Sequence, residues 1–332
     1  TSHYTLEKTP FTEKWFAATK DVSPLKGVVN LGYDRATSGT LELLPVDTAL
    51  DEQSTLKFSG LKVEVSASAE AQKVKADGYM DSLVLTSVAE DESPVKVELN
   101  GLTLASNLAK SSFGYYLGDN TVEVANSKTT FGDKQEVLNF KKLEMKTATS
   151  ESGTNAAGRA DYRIAEISLN DKNIGSAKMA WSMKNLDIPS TLALVQLYQT
   201  KLQPYEKAAA AEAAGQPLPE LNLTEAEEAE VKANLEKLLA AQPQIALENL
   251  SFTTSNGESK ASLVVDLAKP QSLDLPVDQL VLQLIALLDL NVQVSKPMIT
   301  DLVSLQALAE GQTDAKAIAE QALATSDMVS SM

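Results

Sequence analysis

The chain of 332 residues can bury a substantial core, yet it runs past the ~250–300 residues at which one core stops growing. Its formal charge of -16, with no basic stripe, argues against nucleic acid and against electrostatic docking on anionic lipid. There is no cysteine, and the one histidine, His3, lies beside a terminus. That leaves no basis for thiol catalysis, a Ser-His-Asp triad or a Cys/His metal site, and no cofactor is expected.

Residues 1–27 read as an irregular lead-in ending near Ser23-Pro24. From Val28 the text is β. Val29-Asn-Leu31-Gly-Tyr33 alternates, Ser38-Gly39 reads as a turn, and Thr40–Leu44 follows. Onward to Ile188, strands of roughly 6–12 residues are predicted between turn clusters, the spacing of an antiparallel meander. Those clusters are Ala76-Asp77-Gly78, Gly118-Asp119-Asn120, Phe131-Gly132-Asp133 and Asn170-Asp171-Lys172-Asn173.

One device recurs through this region. Leu56, Phe58, Leu61 and Val63 place apolar residues at positions 1, 3, 6 and 8 of an eight-residue stretch. The same spacing returns at Val97/Leu99/Leu102/Leu104, Leu138/Phe140/Leu143/Met145 and Tyr162/Ile164/Ile167/Leu169. It appears again at Trp181/Met183/Leu186/Ile188 and Ile245/Leu247/Leu250/Phe252. Side chains two apart share a face of a strand, so the jump from 3 to 6 would turn the second pair away from the core. One extra residue, a β-bulge, absorbs the slip and keeps all four on one side. The skipped pairs are Ser59-Gly60, Asn100-Gly101, Lys141-Lys142, Ala165-Glu166, Lys184-Asn185 and Glu248-Asn249. Repeated bulges bend a sheet, so a long curved meander is expected, with one packed and one wet face.

At Pro189 the period changes. Ser190 can cap a helix carrying Leu194, Val195, Tyr198, Leu202 and Tyr205 as one stripe, extended by Ala-rich residues 208–214 to a break at Gly215–Pro219. Thr224-Glu-Ala-Glu227 is a capping box that opens a second helix with Val231, Leu235, Leu238 and Leu239, so 189–242 reads as an αα-hairpin settled on the apolar face. Strand text resumes at Gln244, and Asn256-Gly257 makes a hairpin into Ala261–Leu267. The apolar run Val277–Leu290 is too short to span a bilayer and reads as a core segment, followed by alternation over Leu288–Val294 and helices near 298–310 and 313–325. The expected class is α+β, mainly antiparallel β. Its parts are a lead-in (1–27), a meander (28–188), an αα-hairpin (189–242) and a closing unit (243–332) continuous with the same sheet.

Candidate chemistry is thin. Asn170–Gly175 has a faint calcium-loop look, but Ser182 stands where the bidentate Glu belongs, and a hairpin turn accounts for it. Ser23…Lys26 and Ser93…Lys96 match Ser-x-x-Lys without a Lys-Thr-Gly. Glu225, Glu227, Glu228 and Glu230 suit a first helical turn, where carboxylates favour the dipole. Asp77 with Asp81, or Asp161 with Glu166, could serve acid–base catalysis only if brought together, and meander turns carry Asp for other reasons. No catalytic residue is assigned.

The run Gly175–Ile188, with the helix containing Tyr198 and Gln199, resembles the YdgA-like family of bacterial envelope proteins, a domain of unknown function. The resemblance continues in Pro243–Phe252, Thr254–Leu263, Thr9-Pro10-Phe11 and Leu31-Gly-Tyr33. It implies a Gram-negative, inner-membrane-anchored protein facing the periplasm, with the anchor upstream of Thr1. As it stands the chain reads as soluble. The family brings no catalytic residues. The expected role is therefore non-enzymatic. One reading is binding or transfer of a lipid or other apolar ligand along the sheet by Phe58, Leu61, Leu99, Leu102, Phe140, Leu143, Trp181, Leu186, Leu247 and Leu250. The alternative is a structural protein acting through self-association or an envelope partner.

Overall fold

The structure, a computed structural model, describes residues 1–89, 93–204, 206, 223–309, 312 and 314–330. It is built on one open sheet of fifteen antiparallel strands. The first six are β1 (Ser2–Thr5), β2 (Leu25–Leu31), β3 (Thr37–Leu43), β4 (Val46–Ala49), β5 (Thr55–Phe58) and β6 (Leu61–Ala67). Six long strands form the middle: β7 (Lys73–Val88), β8 (Pro94–Lys110), β9 (Tyr116–Phe131), β10 (Glu136–Ser152), β11 (Asn155–Leu169) and β12 (Lys172–Asp187). The last three are β13 (Gln244–Thr253), β14 (Glu258–Leu267) and β15 (Ile285–Gln293). From β7 onward every strand pairs with its neighbours in the chain, the meander the turn spacing predicts.

The long strands run 15–17 residues because two predicted turns are not turns. Ala76-Asp77-Gly78 lies inside β7 and Gly118-Asp119-Asn120 inside β9. Both glycines answer a close cross-strand approach instead. A Cβ on Gly78 would stand 2.7 Å from Leu104 Cγ, and one on Gly118 would stand 2.2 Å from the Asn107 carbonyl oxygen. Ser38-Gly39 likewise sits within β3, and the chain turns at Gly32–Ala36. The turns at Phe131-Gly132 and Asn170-Asp171 are where the sequence puts them.

The six skipped pairs divide into two kinds. Ala165-Glu166, Lys184-Asn185 and Glu248-Asn249 are β-bulges that shift the register against a neighbouring strand. Ser59-Gly60, Asn100-Gly101 and Lys141-Lys142 shift nothing. Ser82 pairs with Asn100 and Met80 with Leu102, leaving Asp81 and Gly101 opposite each other without a rung. The same vacancy recurs between Gly101 and Ala125, Ala125 and Lys142, and Lys142 and Ala165. Each strand therefore carries its extra residue at the same level. The face reversal crosses the sheet as one transverse seam, from Gly60 through Asp81, Gly101, Ala125 and Lys142 to Ala165. Alternate members, Gly60 (φ 95°), Gly101 (φ 65°) and Lys142 (φ 52°), take the left-handed conformation that turns the strand over.

Among the described residues the sheet is bordered by α1 (Glu13–Ala18), α2 (Ile188–Leu197), α3 (Glu225–Ala240), α4 (Val277–Leu284), α5 (Lys296–Ala309) and α6 (Ala315–Ser330). Asp187, not Ser190, caps α2: its carboxylate accepts from the Ser190 amide at 3.0 Å, and the Ser190 side chain is buried in the first turn. Tyr198–Leu202 continues α2 as a π-turn. Thr224 and Glu227 form the predicted capping box on α3, and Lys201 reaches Glu227 at 2.9 Å to join the two arms of the hairpin. Tyr205 and the 208–219 stretch lie outside the described residues.

In its described residues the αα-hairpin does not settle on the apolar face. Beside α2 and α3 the buried positions are Ala180, Ser182 and Ala246, while their neighbours Trp181, Met183 and Ile245 remain 40–45% exposed on the other side. A helix backbone comes close to a sheet only over small side chains, and these strands offer Ala and Ser on one face and bulky residues on the other. The αα-hairpin took the face it could approach. Helices α5 and α6 pack on each other and dock at the β13–β14 turn. There Asp301 accepts from Thr254 Oγ1 (2.5 Å), Asn256 N (3.1 Å) and Asn256 Nδ2 (2.7 Å). Val277–Leu290 is not a core segment either: it divides into α4 and the fully exposed edge strand β15. No helix among the described residues is long and apolar enough to cross a membrane.

Candidate ligand-binding site

The two faces of the long strands carry different chemistry. On one, charged residues two apart along a strand pair with each other: Lys62–Glu64 (2.9 Å), Lys96–Glu98 (2.8 Å), Glu144–Lys146 (2.7 Å) and Arg159–Asp161 (2.7 Å). On the other, residues that are apolar except for Ser127 form transverse rows on both sides of the seam. Phe58, Leu83, Leu99, Ser127, Phe140 and Ile167 make one row, and Met80, Leu102, Val124, Leu143 and Ile164 the next. Registers extend the second row to Ala177 and Phe252. A parallel row runs Trp181–Leu247–Leu263–Leu290.

Every candidate residue from the sequence stands on this face. Leu61, Leu99, Leu102, Phe140 and Leu143 are half-buried among cross-strand neighbours, as are Leu186 and Leu247. Trp181 and Leu250 are 40% and 48% exposed. Met80 alone among the row residues is buried, at 6% exposure. Such half-burial leaves each side chain against its cross-strand neighbours with part of its surface open.

At the N-terminal end the sheet forks, and there the face deepens into cavities. Strand β7 pairs with β6 below the seam and with β5 above it. Below, β6 leads to β3, β2 and β1; above, β5 leads only to β4. Gly60 is the branch point; a Cβ there would stand 2.8 Å from the Leu43 carbonyl oxygen. Leu44-Pro45 carries the chain from one branch to the other, and α1 closes the gap with its buried Phe16 turned inward. Two adjoining cavities of about 540 and 570 Å³ occupy this fork and share Ala18, Leu44, Val46 and Phe58 as walls. The larger is lined by Leu43, Leu50, Leu56 and Trp15, with Lys14 at its edge. The sequence marked Leu56 and Phe58 but not their partners on other elements: α1 and the short β4 carry no periodic signal long enough to read.

The carboxylates follow a single trend. Hydrogen bonding from Arg159 holds Asp161 below its ordinary value, and Lys146 does the same for Glu144. The Thr224 backbone amide and Lys201 bring Glu227 down to about 2. For Asp301, burial works to raise the value, but the donors of Thr254 and Asn256 outweigh it. The pairs considered for acid–base work are not brought together: Asp161 goes to Arg159 and Glu166 to Lys141 at 2.6 Å, while Asp81 accepts from Tyr79 at 3.1 Å. The Ser23 hydroxyl accepts from the Leu6 amide and donates to the Leu25 carbonyl, tying the lead-in to β2, and Lys96 is paired with Glu98. Among the described residues no group of three or more His, Asp or Glu could hold a metal ion.

A family model described as a bacterial protein of unknown function (DUF945) matches residues 1–332. No curated protein and no solved structure matches the chain.

Proposed function

The chain belongs to the DUF945 family of bacterial proteins, and from that premise we propose that it is a non-enzymatic protein of the cell envelope that holds a lipid or other apolar ligand along the sheet. The supporting observation is the apolar face that, among the described residues, no helix covers beyond α1, and that ends in a pair of cavities at the fork. Pockets for small amphiphiles are mostly apolar with a few polar groups that set orientation. Here Lys14 stands at the edge of the larger cavity, where it would take a carboxylate or phosphate while the chain lies against Trp15, Leu56 and Phe58. The ionised state of the displaced carboxylates favours a binding role over proton transfer, because a general acid needs its pKa raised toward neutrality. The resemblance to YdgA-like proteins supports a periplasmic position on an inner-membrane anchor.

Titration with a fluorescent fatty acid tests this reading. The wild-type chain is expected to bind it and Phe58→Glu to bind at least about tenfold more weakly, since the change buries a charge among apolar walls. Lys146→Ala, on the charged face, should leave the affinity unchanged. Lys14→Ala should weaken a fatty acid more than the matching fatty alcohol. A wild-type protein that binds neither probe and carries no lipid in detergent-free native mass spectrometry overturns the proposal.

A further inference from the structure

The geometry points to β15 as a dimerisation edge: two copies of the chain join β15 to β15 antiparallel about a two-fold axis at Leu290, merging their sheets. This rests on the edge itself and stands apart from the ligand reading.

All nine residues of β15 are exposed. Leu287, Leu288, Leu290 and Val292 are 46%, 61%, 64% and 63% exposed, in the chain's longest apolar run. One side of β15 pairs with β14, and among the described residues no strand pairs with the other. A long apolar edge with free amides and carbonyls is a template for another strand, and monomeric proteins blunt such edges with Lys, Pro or bulges. Between Leu287 and Gln293 the strand has none of these; a register shift against β14 lies just before, between Ile285 and Leu287. Its single charge is Asp289.

A second copy fits better than the opposite edge of the sheet does. Strand β1 at that edge has four residues, Ser2–Thr5, with Tyr4 the only large apolar side chain, and cannot match nine. Pairing β15 with β1 would also be head-to-tail and would leave an edge open at each end, whereas β15 on β15 closes.

The residues select the register. Paired residues share a face, so the apolar faces of two copies become continuous only if Leu288, Leu290 and Val292 pair among themselves. Centring on Asp289 would set two carboxylates directly opposite, which is destabilising. Centring on Leu288 opposes Asp289 to Leu287. Centring on Asn291 leaves only residues 289–293 paired within the strand. Centring on Leu290 pairs residues 287–293: Leu290 faces Leu290, Leu288 faces Val292, and Asp289 faces Asn291, an amide that already donates to it at 3.0 Å within one chain. The row Trp181–Leu247–Leu263–Leu290 then runs on into its own copy.

The absence of cysteine makes the test clean. Sedimentation of the wild-type chain at micromolar concentration should give twice the 35.5 kDa monomer mass. Leu290→Cys should form a disulfide-linked dimer on mild oxidation and Asp289→Cys should not, because only the first faces itself. Leu290→Lys should sediment at the monomer mass with an unchanged circular dichroism spectrum, since an exposed edge residue carries no core packing. A monomeric wild-type chain overturns the proposal. So does a dimer that survives Leu290→Lys, or one in which Asp289→Cys crosslinks and Leu290→Cys does not.

Discussion

Gly101 shows what the seam asks of a single residue. It needs a left-handed backbone (φ 65°), and a Cβ there would stand 2.8 Å from the Cβ of Ala125 on the next strand. Two penalties are therefore separable. In Gly101→Ala the left-handed conformation costs about 1–2 kcal/mol, and the clash adds to it. Adding Ala125→Gly should recover the second part and not the first, which urea unfolding of the single and double variants would resolve. Lys142 stands at the same level with φ 52°, so Lys142→Gly should be neutral or stabilising. Equal destabilisation by Gly101→Ala and Lys142→Gly would mean that the left-handed backbone is not what the seam requires. The sequence points to Gly101 as a bulge but cannot reveal the alignment, because Asp81 and Ala125 carry no mark of their own. Only the register brings the six residues into line.

Among the elements, the C-terminal helix pair depends most on one side chain. Asp301 on α5 accepts three hydrogen bonds from Thr254 and Asn256 at the β13–β14 turn. Its carboxyl is held below the ordinary value of 3.8, so the stabilisation is present at neutral pH and is lost as pH falls through the folded-state value. Asp301→Asn should lower the protection of α5 and α6 amides by about 1 kcal/mol at pH 7, measured by hydrogen exchange. That difference should shrink toward zero below pH 3.8; a difference independent of pH would remove the charge from the account. The hairpin turn itself was legible as Asn256-Gly257, and so was the Thr224–Glu227 capping box. The side of the sheet that the αα-hairpin would take was not. Apolar periodicity reports which strand residues are greasy. It is silent on whether a helix can come near them, and there the small residues Ala180, Ser182 and Ala246 decided.

For the whole molecule, the accessible surface is 20,994 Å². A compact monomer of 35.5 kDa would expose roughly 13,000 Å² by the usual scaling of surface with mass. The excess is that of a body one layer thick, in which each strand touches its two neighbours and little else. Stability in such a ladder accumulates from nearest-neighbour interfaces, as in repeat proteins. Native-state hydrogen exchange should therefore be graded, slowest in β8–β11 and faster by orders of magnitude toward β1 and β15. Uniform protection from end to end would show that the sheet opens as one unit. The α+β class and the meander could be read from turn spacing and alternation. The forked end and its cavities could not, since they depend on β7 holding two partners at once.

The seam also constrains how such a chain can change. Deleting Gly101 alone would throw half of β8 onto the wrong side against two unaltered neighbours, while deleting the whole line of six would leave every surviving partnership intact. The line is therefore a collective trait. Descendants of this chain must keep all its members or shed them together, and an alignment of such descendants should show gaps there in every strand or in none.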